Sequence, residues 1–161
     1  KWVAFIGLID GRPYEIFTGF ADDEDGIILP RWLNKGLIIK NHNYDGSSRY
    51  DFQYQNKRGY KTTIEGLSYK FNPEYWNYAK LISSTLRHGM PIEKVVDLIN
   101  SLQLDESINT WKNGVVRALK KFVPEGTEPV DKQCSDCGDP EGLIYEEGCL
   151  KCKSCGSTKC G

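Results

Sequence analysis

Lys61-Thr62-Thr63-Ile64-Glu65-Gly66-Leu67-Ser68 leads through Phe71 into Asn72-Pro73-Glu74-Tyr75-Trp76-Asn77-Tyr78-Ala79, and at Phe71 the apolar period changes from two to about 3.6. Before that point, β-branched and aromatic residues broken by turn dipeptides read as strands, with Lys61 to Ser68 as the last. Beyond it, Asn72 is a ready N-cap and Pro73 a first-turn residue. Tyr75, Ala79, Ile82 and Leu86 then share one helical face until His88-Gly89 ends it.

Toward the N-terminus the strand pattern continues. Trp2 to Ile9 and Tyr14 to Phe20 flank Asp10-Gly11-Arg12-Pro13, a hairpin signal; Gly36 to Asn41 and Arg49 to Gln55 flank a loop with Asp45-Gly46; Lys61 to Ser68 follows the turn residues Asn56 to Gly59. Five strands are expected. The acidic stretch Asp22 to Asp25 and the following Ile27 to Leu33 read as a loop and a short helix. Toward the C-terminus, Pro91 opens a second helix with Ile92, Val95, Val96, Ile99 and Leu102 as its apolar stripe, and a third carries Ile108, Trp111, Val115, Leu119 and Phe122. The expected class is α+β: a mostly antiparallel sheet of about five strands packed with three helices, followed by a small zinc ribbon. Pro124-Glu125-Gly126-Thr127-Glu128-Pro129 breaks the periodicity. The expected division is an α+β domain over 1–123, a linker over 124–133 and a cysteine tail over 134–161.

With 39% hydrophobic and 27% charged residues, the 161-residue chain carries enough apolar material for one core and an appendage. A formal net charge of −1 provides no overall field for nucleic acid or an anionic membrane surface. No apolar run approaches the ~20 residues of a membrane span, and no signal peptide opens the chain, so a cytoplasmic protein is expected. Lys1 leads straight into an apolar stretch and the one methionine is Met90, as expected of a piece of a longer polypeptide.

All six cysteines fall in the order Cys134-x2-Cys137-x11-Cys149-x2-Cys152-x2-Cys155-x4-Cys160. Such clustering argues against disulfides spread through a secreted core. Four thiolates in CxxC pairs converge readily on Zn²⁺, and the metal supplies folding free energy to a tail too short to bury a core of its own. Two cysteines are surplus. In one partition Cys134, Cys137, Cys149 and Cys152 hold the metal, leaving Cys155 and Cys160 at the chain end as a thiol pair with the flexible Gly156, Ser157 and Thr158 between them. In the other, Cys134-x2-Cys137-Gly138 and Cys152-x2-Cys155-Gly156 are glycine-flanked zinc knuckles, and Cys149 and Cys160 are the spare thiols. The first is preferred for its symmetric CxxC pairs and mobile terminal thiols. A nucleic-acid-binding ribbon is disfavoured, because the tail has three lysines (Lys151, Lys153, Lys159) against five acids (Asp136, Asp139, Glu141, Glu146, Glu147). His42 and His88 lie in no metal-type spacing, and Trp76, Tyr78 and Trp111 read as core or as a contact surface.

Two stretches carry a family resemblance. Asp10-Gly11-Arg12-Pro13-Tyr14-Glu15-Ile16-Phe17 resembles the GxPYE(I/V)F strand that opens the C-terminal accessory domain of adenosylcobalamin (vitamin B12)-dependent, class II ribonucleotide reductases. The ending from Glu147 through Cys149, Cys152, Cys155 and Cys160 is similar to that family's cysteine-rich tail, and Thr62 to Ser68 and Phe71 to Trp76 also look like bacterial members. The resemblance implies a part of a ribonucleoside-diphosphate reductase serving deoxyribonucleotide and DNA synthesis. It also implies a C-terminal Cys-x4-Cys pair that re-reduces the active-site disulfide and is recharged by thioredoxin or a similar reductant; Cys155 and Cys160 have that spacing. The implied partner is the catalytic barrel, which carries adenosylcobalamin. Without the barrel this piece is expected to be inactive, holding zinc alone. The other class of function is a binding or assembly module with a purely structural zinc ribbon.

Overall fold

The structure, a computed structural model, describes residues 2–21, 27–130 and 132–160, with backbone at positions 106 and 107. The element order is β1 (Trp2–Ile9), β2 (Arg12–Phe20), β3 (Leu37–His42), β4 (Ser48–Gln55), β5 (Lys61–Ile64), α1 (Leu67–Lys70), α2 (Pro73–Arg87), α3 (Ile92–Ser101), α4 (Glu106–Lys120), β6 (Leu143–Glu146), β7 (Cys149–Cys152) and β8 (Thr158–Lys159). This is the expected α+β class. The first five strands form two sheets, a β1–β2 hairpin and an antiparallel β3–β4–β5 meander; a third antiparallel sheet, β6–β7–β8, lies in the cysteine tail.

Asp10 and Gly11 both take positive φ (52° and 76°), the two-residue hairpin turn whose twist matches that of the flanking strands. β3 pairs with β4 from Leu37 opposite Gln53 to His42 opposite Ser48, and β4 with β5 from Phe52 opposite Ile64 to Gln55 opposite Lys61. The expected strand over 61–68 stops at Ile64. Asp51, buried on β4, accepts a hydrogen bond from the Gly66 amide at 2.8 Å, and Gly66 in the left-handed region turns the chain into α1. The acidic residues 22–25 lie outside the described residues. The stretch after them is not helical: Ile27 is buried, and a single turn closes from the Leu33 amide to the Pro30 carbonyl at 3.0 Å.

Residue contacts group the chain into two compact units, each described by itself. The first comprises Glu15–Ser83 with the strand before Leu8; the second comprises Leu8–Tyr14 and the chain from Ser84 onward. In the first, Phe5, Phe17, Phe52, Leu67 and Phe71 form the core with Ile27. Trp76, partly buried, packs against it, its ring stacked 5.2 Å from that of Phe17. In the second, α3 packs on α4. Ile92, Val95, Val96 and Ile99 of α3 and Trp111, Val115 and Leu119 of α4 are buried as the periodicity predicts, with Val116 and Val123 in addition. Leu102 is exposed, because α3 ends one residue before it. Asn72 caps α2, its side-chain oxygen accepting from the Glu74 amide at 2.9 Å. Arg12 donates to the carbonyls of Leu86 and Met90, both at 2.8 Å, tying the β1–β2 turn to the chain at and just beyond the end of α2. Among the described residues, no helix is long and apolar enough to cross a membrane.

Candidate metal centre

Residues 124–130 and 134–160 build the site within the second unit. Glu147 and Gly148, both at positive φ, close the β6–β7 hairpin, which pairs from Leu143 opposite Cys152 to Glu146 opposite Cys149. The segment expected as a linker is bonded to this hairpin. The Gly126 amide donates to the Tyr145 carbonyl (2.7 Å), the Tyr145 amide donates to the Thr127 carbonyl (2.8 Å), and the Glu125 carboxylate accepts from the Glu147 amide (2.9 and 3.2 Å). Tyr145 is buried, and Lys132 pairs with Asp97 of α3 at 2.7 Å.

Two turns of one design present the sulfurs. In the first, the Gly138 amide donates to the Cys134 carbonyl at 2.7 Å and the Cys134 amide to the Asp139 carbonyl at 2.9 Å. In the second, eighteen positions on, the Gly156 amide donates to the Cys152 carbonyl and the Cys152 amide to the Ser157 carbonyl, both at 2.8 Å. Gly138 and Gly156 both sit at φ 76°, where a side chain would be strained. Gly142 faces the site from β6's approach: a Cβ there would stand 2.9 Å from Cys152 Sγ and 2.8 Å from an Asp139 carboxylate oxygen. Ser154 donates to Asp139, linking the two turns.

The four sulfurs of Cys134, Cys137, Cys152 and Cys155 lie within 4.8 Å of one another. Cys134 and Cys155 are 3.7 Å apart across the turns, and so are Cys137 and Cys152. A tetrahedral zinc with Zn–S bonds of about 2.3 Å requires S···S edges of about 3.8 Å. The set therefore fits a metal such as zinc in donor type, number and spacing. Cys134 and Cys152 are buried, Cys137 and Cys155 exposed.

The thiols differ in acidity. The Ser157 hydroxyl, followed by the Cys137 and Asp136 amides, brings Cys134 down to about 6. At Cys137 the Asp139 amide acts downward, but burial and the adjacent Cys134, Cys152 and Cys155 sulfurs together push the thiol up to about 12. Cys155 is lowered, first by the Ser157 hydroxyl and then by its amide. Clustered sulfurs cannot all ionise in the absence of a cation, because each thiolate raises the cost of the next. A divalent metal removes that conflict.

Of the four preferred ligands, the structure brings Cys134, Cys137 and Cys152 together; the fourth sulfur is Cys155, not Cys149. Cys149 instead forms a disulfide with Cys160, so the proposed thiol pair Cys155 and Cys160 is divided between the cluster and the disulfide. The departure from the preferred partition has a plain cause. Cys149 and Cys152 are the two ends of strand β7, and residues three apart on a strand point to opposite faces. Two CxxC pairs sit in turns and converge; the third lies along a strand and diverges. The signal that separates them is the glycine after Cys137 and Cys155, where Lys153 follows Cys152. Ser157, whose oxygen is 3.2 Å from Cys155 Sγ and 3.5 Å from Cys134 Sγ, and Gly142 carry no site signal in the sequence, since neither is a ligand type. His88 bonds to the Ser84 carbonyl at 2.7 Å, His42 closes β3, and Trp111 is core.

No curated protein and no solved structure matches the chain. A family model does: the NrdJ homologue C-terminal domain matches residues 1–124, more than three-quarters of the chain. That match covers the hairpin, the meander and helices α1 to α4 and stops where the segment leading to the cysteines begins. With an α+β body of this family followed by a cysteine cluster able to hold a metal, the chain belongs to the NrdJ homologue C-terminal domain family, and its role is related to ribonucleotide reductase.

Proposed function

We propose that this chain is the C-terminal part of an adenosylcobalamin-dependent, cytoplasmic ribonucleotide reductase and supplies its reducing equivalents through a metal-organised dithiol. The observation that carries this is the sorting of six cysteines into four converging sulfurs and one disulfide, following a domain of this family. Residues 1–123 would act as the accessory portion, 124–133 as the connector and 134–161 as the redox tail. Zinc, held by Cys134, Cys137, Cys152 and Cys155, would fold the ribbon and leave Cys149 and Cys160 as the exchanging pair, a change from the Cys155–Cys160 pair that spacing suggested. The partner is the catalytic barrel, which would carry adenosylcobalamin and the nucleotide.

In reduced form the pair passes two electrons to the active-site disulfide left by each turnover, yielding two active-site thiols and the Cys149–Cys160 disulfide. A dithiol protein such as thioredoxin then restores the pair by the same exchange. Attachment to the enzyme it serves raises the pair's effective concentration there to the order of millimolar for a short connector.

The test is turnover of the whole reductase carrying Cys160→Ala. Activity with thioredoxin should collapse while activity with a small dithiol, which reaches the active site directly, persists. Undiminished thioredoxin-dependent turnover would refute the proposal. A structural ribbon is the second reading, favoured by the position of Cys149–Cys160 as a cross-strand staple; it requires that thioredoxin leave this disulfide intact.

A further inference from the structure

We infer that the two cysteines of the pair have unequal roles: Cys160 is the sulfur that exchanges with a protein disulfide, and Cys149 is the sulfur that resolves the mixed disulfide. This rests on the dithiol function proposed above. β7 and β8 pair with Leu150 opposite Lys159 and Lys151 opposite Thr158. One step further along that register places Cys149 opposite Cys160, so the disulfide latches the open end of the β7–β8 ladder.

The two sides of the latch are held differently. Cys149 belongs to the central strand of the sheet, is half-buried, and follows a hairpin turn anchored through Glu147 to the Glu125 carboxylate. A Cβ on the adjacent Gly148 would stand 3.2 Å from the Lys120 carbonyl, which shows how closely this turn is backed by the chain. Cys160 is exposed and follows β8, a two-residue edge strand whose side chains are both exposed. Among the described residues, its remaining ties are the ladder and the contacts of Lys159 with Ser135 and, at 3.8 Å, Asp136, all at the surface. Exposed ion pairs and a two-residue ladder contribute little free energy. Once the S–S bond is cleaved, β8 is therefore the part that opens, while the Cys152–Ser157 bond keeps the knuckle closed. Two residues then separate Ser157 from Cys160, so Cys160 can stand as much as ~10 Å from that anchor.

The chemistry follows that asymmetry. The Cys160 thiolate attacks one sulfur of a protein disulfide, forming a new S–S bond as the other sulfur leaves and takes up the proton Cys160 lost. β8 then re-pairs with β7, returning the Cys160 sulfur to Cys149. The Cys149 thiolate attacks it, the Cys149–Cys160 bond forms, and the second partner sulfur leaves as a thiol. Two electrons move from the tail to the partner. Recharging runs in reverse, the incoming thiolate of a dithiol reductant attacking the exposed Cys160 sulfur with Cys149 as leaving group.

The test uses the full, reduced, zinc-loaded chain and 5,5′-dithiobis(2-nitrobenzoate) as the disulfide probe. In Cys149→Ser, Cys160 should form a stable mixed disulfide roughly tenfold or more faster than Cys149 does in Cys160→Ser, access being the difference. Zinc content equal to the unmodified chain shows that each variant keeps its ribbon. The unmodified chain should end with the Cys149–Cys160 bond in its peptide map and no retained adduct. Equal or faster reaction at Cys149 overturns the order while leaving the pair a redox couple. A retained adduct on the unmodified chain, with no Cys149–Cys160 bond, refutes the couple and the order with it. Independently of any variant, reduction should speed amide hydrogen exchange at Thr158 to Cys160 and leave Leu143 to Cys152 protected; loss of protection in both overturns the latch.

Discussion

Replacing Cys155 by serine and, separately, Cys149 by serine gives opposite outcomes for zinc. Cys155 Sγ is 3.7 Å from Cys134 Sγ and belongs to the four-sulfur set, whereas Cys149 is bonded to Cys160 and lies outside it. Structural zinc sites of this size bind with about 10–16 kcal/mol, or about 2.5–4 kcal/mol for each of four ligands. Loss of one thiolate should then weaken binding by about two to three orders of magnitude, at 1.4 kcal/mol per factor of ten. Cys155→Ser should show that loss, and Cys149→Ser should bind zinc as the unmodified chain does. Competition against a chromophoric chelator at neutral pH reads both affinities directly. If Cys149→Ser weakens zinc while Cys155→Ser leaves it unchanged, the assignment drawn from the turns and strand register is wrong, and the ligands are those of the symmetric CxxC partition.

Gly142→Ala should also weaken zinc without removing a ligand, because its Cβ would stand 2.9 Å from Cys152 Sγ and 2.8 Å from Asp139; the same chelator competition reads it, and wild-type affinity would mean that the ribbon yields freely there. Asp51→Asn should destabilise the first unit by about 2 kcal/mol, since the amide cannot serve the Gly66 amide, Arg49 and Asn41 together as the carboxylate does. Burial works to raise the Asp51 pKa, but the Gly66 amide, Arg49 and Asn41 outweigh it and hold it below the ordinary 3.8. A depressed folded-state pKa contributes stability that is present above 3.8 and lost as pH falls through the depressed value. The deficit of Asp51→Asn in denaturant titrations should therefore be full at neutral pH and shrink in strong acid; a deficit independent of pH would contradict it.

The class of fold, the hairpins and the long helices follow from local information. Asp10-Gly11 specifies its turn because those two residue types tolerate positive φ, and the faces of α2 and α3 follow from a 3.6-residue period that water enforces on any amphipathic helix. The presence of a metal-type cysteine cluster is equally local, being a matter of residue type and spacing. What the sequence by itself left open were choices between equivalent local signals. Lys61 to Ser68 reads as one strand, yet a carboxylate fifteen residues upstream captures the Gly66 amide and ends it. Six identical thiols admit several partitions, and the glycines after Cys137 and Cys155 are a local signal that the symmetry of the CxxC pairs outweighed. Only the tertiary structure sorts their positions, because a strand sends Cys149 and Cys152 to opposite faces while two glycine-closed turns aim Cys134, Cys137, Cys152 and Cys155 at one point, and the β7–β8 register brings Cys149 to Cys160.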